Sequence, residues 1–226
     1  MTTLGELIVV VQNIINGQLL SKSVFDHANS SSSITASDIR NYLNRAVRHI
    51  ATGIRVPGLS VVTRPLPDLF TIGTVDTSVD SFVSLPDNYG REVQFVANSD
   101  HVEIERYDTF GELSRIYPNI NDAGSVNAVA IKGSVLHYRK LPDTPETLTI
   151  HYYRQPVDMS EHTDEPDGVP SHLQEDLLCN YAMVEVIKRL HDLPPQSLAM
   201  YNDLLSDAVR ALDSWSITDT ESIFLL

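Results

Sequence analysis

The sequence predicts an α+β fold: an antiparallel helical bundle built from both ends of the chain, with an antiparallel β-rich module inserted between them. Apolar residues recur at helical spacing near both ends. Between about Val61 and Arg154 the period shortens to two, in short runs rich in β-branched and aromatic residues. Gly, Pro, Asn and Asp punctuate each change of period. The expected boundaries are a bundle domain at 1–58 and 169–216, a β-rich module at 59–157, an acidic linker at 158–168 and a tail at 217–226.

At the N-terminal end, Leu4, Leu7, Ile8, Val11, Ile14 and Ile15 mark one face of a helix that should end near Gly17. The polar stretch "HANSSSSITASD" then leads to a second helix start. Thr35 or Ser37 can accept from its exposed first-turn amides, and the helix dipole favours Asp38 there. This second helix should bury Ile39, Leu43, Ala46, Val47 and Ile50 and stop before "GIRVPGL".

The strand signals are "FTIGTV", "FVSLP", "REVQFVAN", "HVEIERY" and "NAVAIKG", with a helical turn or two fitting in "DTFGELSRIY". The stretch "GSVLHYRKLPDTPETLTIHYYRQP", residues 133–156, reads as two strands and a loop. Leu136 and Tyr138 alternate with Val135, His137 and Arg139, and Leu148, Ile150 and Tyr152 alternate with Thr147, Thr149, His151 and Tyr153. Each strand thus has one apolar side, as in an antiparallel sheet packed on one face. The two strands are expected to face each other across a ladder. The connection Leu141, Pro142, Asp143, Thr144, Pro145 carries two residues that cannot donate to a ladder, which favours a stiff, projecting loop.

After the acidic "DMSEHTDEPDG", Val169 and Pro170 precede a helical stripe of Leu173, Leu177, Leu178, Tyr181, Val184, Ile187 and Leu190. Beyond "DLPPQ", Leu198, Tyr201, Leu204, Leu205, Ala208, Leu212 and Trp215 outline the last helix. The chain then closes on Ile223, Phe224, Leu225 and Leu226. Four apolar residues after the polar "TDTES" suggest docking into a groove, on this chain or on a neighbour.

Charge narrows the function classes. Sixteen Lys and Arg against thirty Asp and Glu give −14, a balance that opposes tight nucleic-acid wrapping and docking on an anionic membrane. A single cysteine, Cys179, offers no disulfide framework, so an intracellular folding environment is expected. The N-terminal run "MTTLGELIVVVQNIINGQLL" lacks the basic start of a signal peptide, and no stretch reaches the ~18 apolar residues of a membrane span. A soluble chain is expected.

No HExxH, GxSxG or GxxxxGK occurs, so no catalytic residue, cofactor or metal is expected. A calcium loop registered on Gly168 would place Thr163 first and Gln174 last, where Asp and Glu are required. Glu161, His162 and Asp164 read as a solvated acidic segment. Cys179 sits among Leu177, Leu178 and Tyr181 as a small hydrophobe. His137 and His151, on the two expected facing strands, supply only two of the three or four ligands a zinc site needs. A small metal-dependent hydrolase using these histidines or Glu161 and His162 is the enzymatic rival. Arg40, Asn44 and Arg48 share the polar face of the second helix, with Arg45 and Arg55 nearby. This basic face is either paired with local carboxylates or a contact to another subunit, where Arg is enriched.

The segments "SDIRNYLNRAVRHIA", "FVSLPDNYGREVQF" and the long run from "VLHYRKLPDTPE" to "VEVIKRL" resemble, in this order, the head-to-tail adaptor (connector) proteins of tailed bacteriophages. Podovirus tail-tube adaptors are the nearest in kind. The resemblance implies a non-enzymatic virion protein of the neck, assembled in the host cytoplasm. It implies binding to the portal as a homo-oligomeric ring, twelve-fold by expectation, that extends the DNA channel with only non-specific passage of DNA. Tail or nozzle proteins would dock on it, and no membrane is involved. A tail-completion protein or other non-catalytic interaction module is the alternative. Within this picture the residues of interest are Arg40, Arg45 and Arg48 for the subunit contact, Ile223, Phe224, Leu225 and Leu226 for portal or neighbour docking, and Leu141, Pro142, Asp143, Thr144 and Pro145 for the tail-facing loop.

Overall fold

A computed structural model describes residues 2–21, 34–53, 64–78, 80–190 and 195–223, with side chains of the last helix described to Trp215. The fold is α+β, and the chain divides into a helical unit, Met1–Leu69 with Pro156–Leu226, and a β-rich unit, Phe70–Gln155.

In the helical unit α1 spans Leu4–Ser21 and α2 spans Ala36–Thr52. A π-helical stretch, Glu175–Cys179, leads directly into α4, Asn180–Leu190, and α5 spans Pro195–Ile223. The third helix in chain order, α3 (Phe110–Ile116), belongs to the other unit. Helix α2 starts where the capping signal placed it. Thr35 Oγ1 accepts from Asp38 N at 3.1 Å, and Asp38 Oδ2 accepts from Thr35 N at 3.0 Å. Its predicted stripe of Ile39, Leu43, Ala46, Val47 and Ile50 is buried. Helix α1 continues past Gly17 to Ser21, since one glycine costs only about 1 kcal/mol and does not by itself stop a helix.

The π stretch and α4 form the centre of this unit. Leu177, Leu178, Cys179, Tyr181, Ala182, Met183, Val184, Val186 and Ile187 are all buried, the pattern of a helix covered on nearly every side. Helices α1, α2 and α5 each pack against it. Helix α5 is longer than the stripe suggested and is rotated from it: Tyr201, Leu205, Ala208, Val209 and Leu212 are buried, while Leu204 is exposed.

The β-rich unit holds β1 (Phe70–Asp76), β2 (Phe82–Ser84), β3 (Tyr89–Ala97), β4 (Glu105–Tyr107), α3 (Phe110–Ile116), β5 (Ala128–Lys132), β6 (Val135–Arg139) and β7 (Thr147–Arg154). These make two sheets, ordered β1-β7-β3 and β2-β6-β5-β4. All pairs are antiparallel except β4 with β5, which run parallel, so the expectation of a purely antiparallel module is corrected. The connection from β4 to β5 passes through α3, and a helical crossover of this kind returns the chain in the same direction.

A second correction concerns the stretch 133–156. Strands β6 and β7 are not hairpin partners, because β6 lies in the four-stranded sheet and β7 in the three-stranded one. Their apolar sides do share one core. Leu136 and Tyr138 meet Leu148, Ile150 and Tyr152 there, together with Val75, Val93, Val96 and Val129. Alternation reveals which side of a strand faces the core, and that side is the same for a hairpin as for two stacked sheets.

Candidate interaction surfaces

The basic face of α2 is built into its own unit at two of its three arginines. Arg45 Nη1 donates to Glu185 Oε2 of α4 at 3.0 Å, and Arg48 Nη1 donates to Asp158 Oδ1 at 2.6 Å. At the far end of α4, Arg189 Nη1 donates to Asp38 Oδ1 at 2.5 Å. The Asp38 carboxyl is held down to about 2 by the Thr35 hydroxyl and amide, with Arg189 adding to them. Arg40 differs. It reaches only the Ser160 carbonyl at 3.4 Å and has no carboxylate partner among the described residues.

Asn44, placed by its sequence position on this polar face, is buried. Its Nδ2 donates to Met159 O at 2.9 Å and its Oδ1 accepts from Met159 N at 2.9 Å. The side-chain amide thus behaves like a strand partner and fastens the 158–168 segment to α2. An asparagine amid good helix formers was the available signal, because its helix propensity is low and a special partner offsets that cost.

The acidic segment is accordingly an ordered turn. Asp164 Oδ2 accepts from Ser160 N at 2.7 Å and Glu161 N at 2.8 Å, and these backbone bonds hold its carboxyl below the ordinary range. Carbonyls of the same turn accept from the first amides of α1: Leu4 N donates to Asp164 O at 2.7 Å and Gly5 N to His162 O at 2.9 Å. They satisfy donors that a helix start leaves open. Gln174, the last position of the calcium-like register, is buried and bonds Val169 O and Thr2 N.

The histidines that carried the enzymatic rival are kept apart. The His137 ring packs on Phe110 at 4.3 Å, outside the four-stranded sheet, while His151 packs on Phe95 at 4.9 Å in the three-stranded one. No group of three or more metal-ligating side chains forms among the described residues. Cys179 is buried, and burial pushes its thiol up to about 12, aided by Glu175 and Asp176.

Arg139 is the surprise of the β-rich unit. Sequence alternation put it on the mixed side of β6, yet it is only 2% exposed. Its Nη1 donates to Tyr138 O at 2.8 Å and its Nε to Tyr117 O at 3.4 Å, at the end of α3, while the guanidinium lies 6.0 Å from the Phe110 ring centre. A helix C-terminal carbonyl and an aromatic face take the place of a carboxylate.

The loop after β6 is held at both ends. Leu141 N donates to Asp122 O at 2.8 Å and Leu141 O accepts from Gly124 N at 2.9 Å, with the Leu141 side chain against the core. Glu146 exchanges bonds with Thr77 and accepts from Val126 N at 2.6 Å. Between these anchors Pro142 is half-buried and Asp143, Thr144 and Pro145 are exposed. Ile223 ends α5; its side chain, with Phe224, Leu225 and Leu226, lies outside the described residues. No described helix is long and apolar enough to cross a membrane.

A protein-family model described as SU10 adaptor protein matches residues 2–222, which takes in both units. The chain belongs to the SU10 adaptor family. It is thereby a structural component of the phage virion, and the resemblance to head-to-tail adaptors holds at the level of the family. Comparison with curated proteins returns no match. For an SU10 adaptor, the surfaces above are candidates for contact with other virion proteins.

Proposed function

We propose that this SU10 adaptor binds the portal as a closed ring, extends the DNA channel and presents a platform for tail or nozzle proteins, without catalysis of its own. The observation that carries the reading is a family match running through the helical unit and the inserted β-rich unit alike. Charge supports it. The helical unit carries nine Lys and Arg against eighteen Asp and Glu, and the β-rich unit seven against twelve. Walls of that sign let a duplex pass, whereas a basic lining would hold it by counterion release. A closed ring also needs two different complementary faces on each subunit.

In this reading the helical unit, an antiparallel bundle, docks on the portal, and the β-rich unit turns its anchored loop toward the tail. Native mass spectrometry of the protein mixed with the portal ring encoded beside it tests the first part. Addition of about twelve copies, one per portal subunit in a closed ring, is the expected result. No addition at low or moderate salt refutes portal binding and favours a tail-completion role. Replacing Pro142, Asp143, Thr144 and Pro145 by a Gly-Ser linker tests the second part. Portal addition should survive and tail attachment weaken; normal tail assembly would sink the tail-facing assignment.

A further inference from the structure

Strand alternation turns Leu136 and Tyr138 of β6 to the core and sends His137 and Arg139 to the opposite face of the four-stranded sheet. There His137 stands opposite Ala130 on one side and Phe82 on the other, and Arg139 stands opposite Ala128. Ala128 and Ala130 are small and pack against Leu113, so α3 can approach this face closely and set Phe110 against the histidine.

Three basic side chains meet at that ring. The His137 ring lies 4.3 Å from the Phe110 centroid, Lys132 Nζ 5.7 Å from it and the Arg139 guanidinium 6.0 Å from it. Phe82, 47% exposed, flanks His137 at 6.0 Å. Among the described residues none of the three basic groups pairs with a carboxylate. Glu105 shares the face but lies on β4, across Ala128 and two strands from Arg139, roughly 10 Å away at the usual strand spacing. It is engaged with Tyr107, whose hydroxyl it pushes up to about 12. Arg139 bonds only two carbonyls, which leaves a deeply buried positive charge without a counter-charge.

The unit around this spot is acidic, with seven Lys and Arg against twelve Asp and Glu. A cationic, aromatic spot on such a surface is complementary to a single carboxylate set beside an apolar side chain. A duplex fits it poorly, because its closely spaced phosphates would fall on the surrounding carboxylates.

We propose that this face, at Phe82, Phe110, Lys132 and His137 with the Arg139 charge beneath, binds an acidic segment of a partner protein. The carboxylate sits by Lys132 and His137, and its apolar neighbour rests on the edges of Phe82 and Phe110. Arg139 does not touch the ligand; its charge acts through the protein interior, where screening is weaker than in water. The site goes beyond the ring reading and does not depend on it.

The probe is the peptide acetyl-Glu-Phe-Val-amide, titrated into the full chain and followed by NMR of the Phe and His rings. Saturable shifts are expected at Phe82, Phe110 and His137, with the Gln-for-Glu peptide bound far more weakly. Lys132→Glu should weaken the Glu peptide about tenfold, since an attraction is lost and a like-charge repulsion replaces it. Arg139→Met should weaken the Glu peptide and leave the Gln peptide unchanged. Lys132 is exposed, so its variant keeps the test open even if Arg139→Met unfolds. No saturable shift, equal binding of the two peptides, or indifference to Lys132→Glu overturns the proposal. A short DNA duplex that saturates the same signals overturns it in favour of nucleic acid. Self-association in sedimentation that Lys132→Glu abolishes overturns it in favour of a second copy. Portal protein is absent from this experiment, so its failure leaves the portal-addition result standing, and the converse holds.

Discussion

Replacing Asn44 by alanine should uncouple the 158–168 turn from α2. The variant loses two hydrogen bonds of 2.9 Å and strands the amide and carbonyl of Met159, which is itself buried. Each bond contributes about 0.5–1.5 kcal/mol net, and a stranded buried polar group costs about 1–3 kcal/mol. Part of that cost is regained as water enters the loosened turn, so the expected loss is about 2–4 kcal/mol. The single tryptophan makes the measurement selective, because Trp215 belongs to the helical unit and packs near His172. Urea unfolding followed by its fluorescence should show a lower midpoint with an unchanged slope. Hydrogen exchange should quicken at Leu4 and Gly5, whose amides donate to the same turn. Asn44→Asp is the sharper control: it keeps an acceptor for Met159 N but sets a carboxylate against Met159 O, and should lose at least as much. A loss below about 0.5 kcal/mol for Asn44→Ala, the ordinary size of a surface substitution, would refute the clamp.

His49 and Arg139 give two further tests. Burial, with Arg45 next in size and Glu185 opposing, lowers the pKa of His49, whose Nδ1 lies 2.9 Å from Tyr181 Oη. The unfolded chain thus binds the proton first, so stability of the helical unit should be full above about pH 6.5 and fall as pH drops through the lowered value. His49→Gln should flatten that dependence in the tryptophan-detected melt, and an unchanged slope between pH 8 and pH 5 would exclude His49 as its source. Arg139→Met removes a buried cation without orphaning a carboxylate, so calorimetry should find the β-rich unit within about 1 kcal/mol of wild type. A loss above about 3 kcal/mol would mean that an anionic partner had been broken.

The parts of the fold that a sequence reveals are those decided locally. The stripe of α2 and its Thr35 and Asp38 cap follow from residues within one helix. The sides of β6 and β7 that face the core were legible for the same reason, but the assignment of those strands to different sheets was not. That choice is made for β7 by β1 and β3, which are remote in sequence, while β6 pairs with the adjacent β5 and the remote β2. Burial of Asn44 and Arg139 was equally hidden, because their partners are Met159, Tyr117 and Phe110. A polar side chain enters a core only where distant groups satisfy it, and no local pattern reports them.

The arginines of α2 show how little a basic face says about its use. An exposed pair such as Arg48 with Asp158 contributes only about 0.2–1 kcal/mol. Exchanging Asp158 for a carboxylate of another subunit would therefore cost almost nothing, and the pair seen within one chain does not fix the role of Arg48 in an assembly. Charge swapping separates the two roles. Arg48→Glu alone breaks either contact. Adding Asp158→Arg restores the pair within the chain but leaves a glutamate facing any neighbour. If sedimentation of the portal complex shows the double variant assembling like wild type, Arg48 serves its own subunit. If only the single-chain stability returns and assembly stays impaired, the carboxylate that matters belongs to a neighbour.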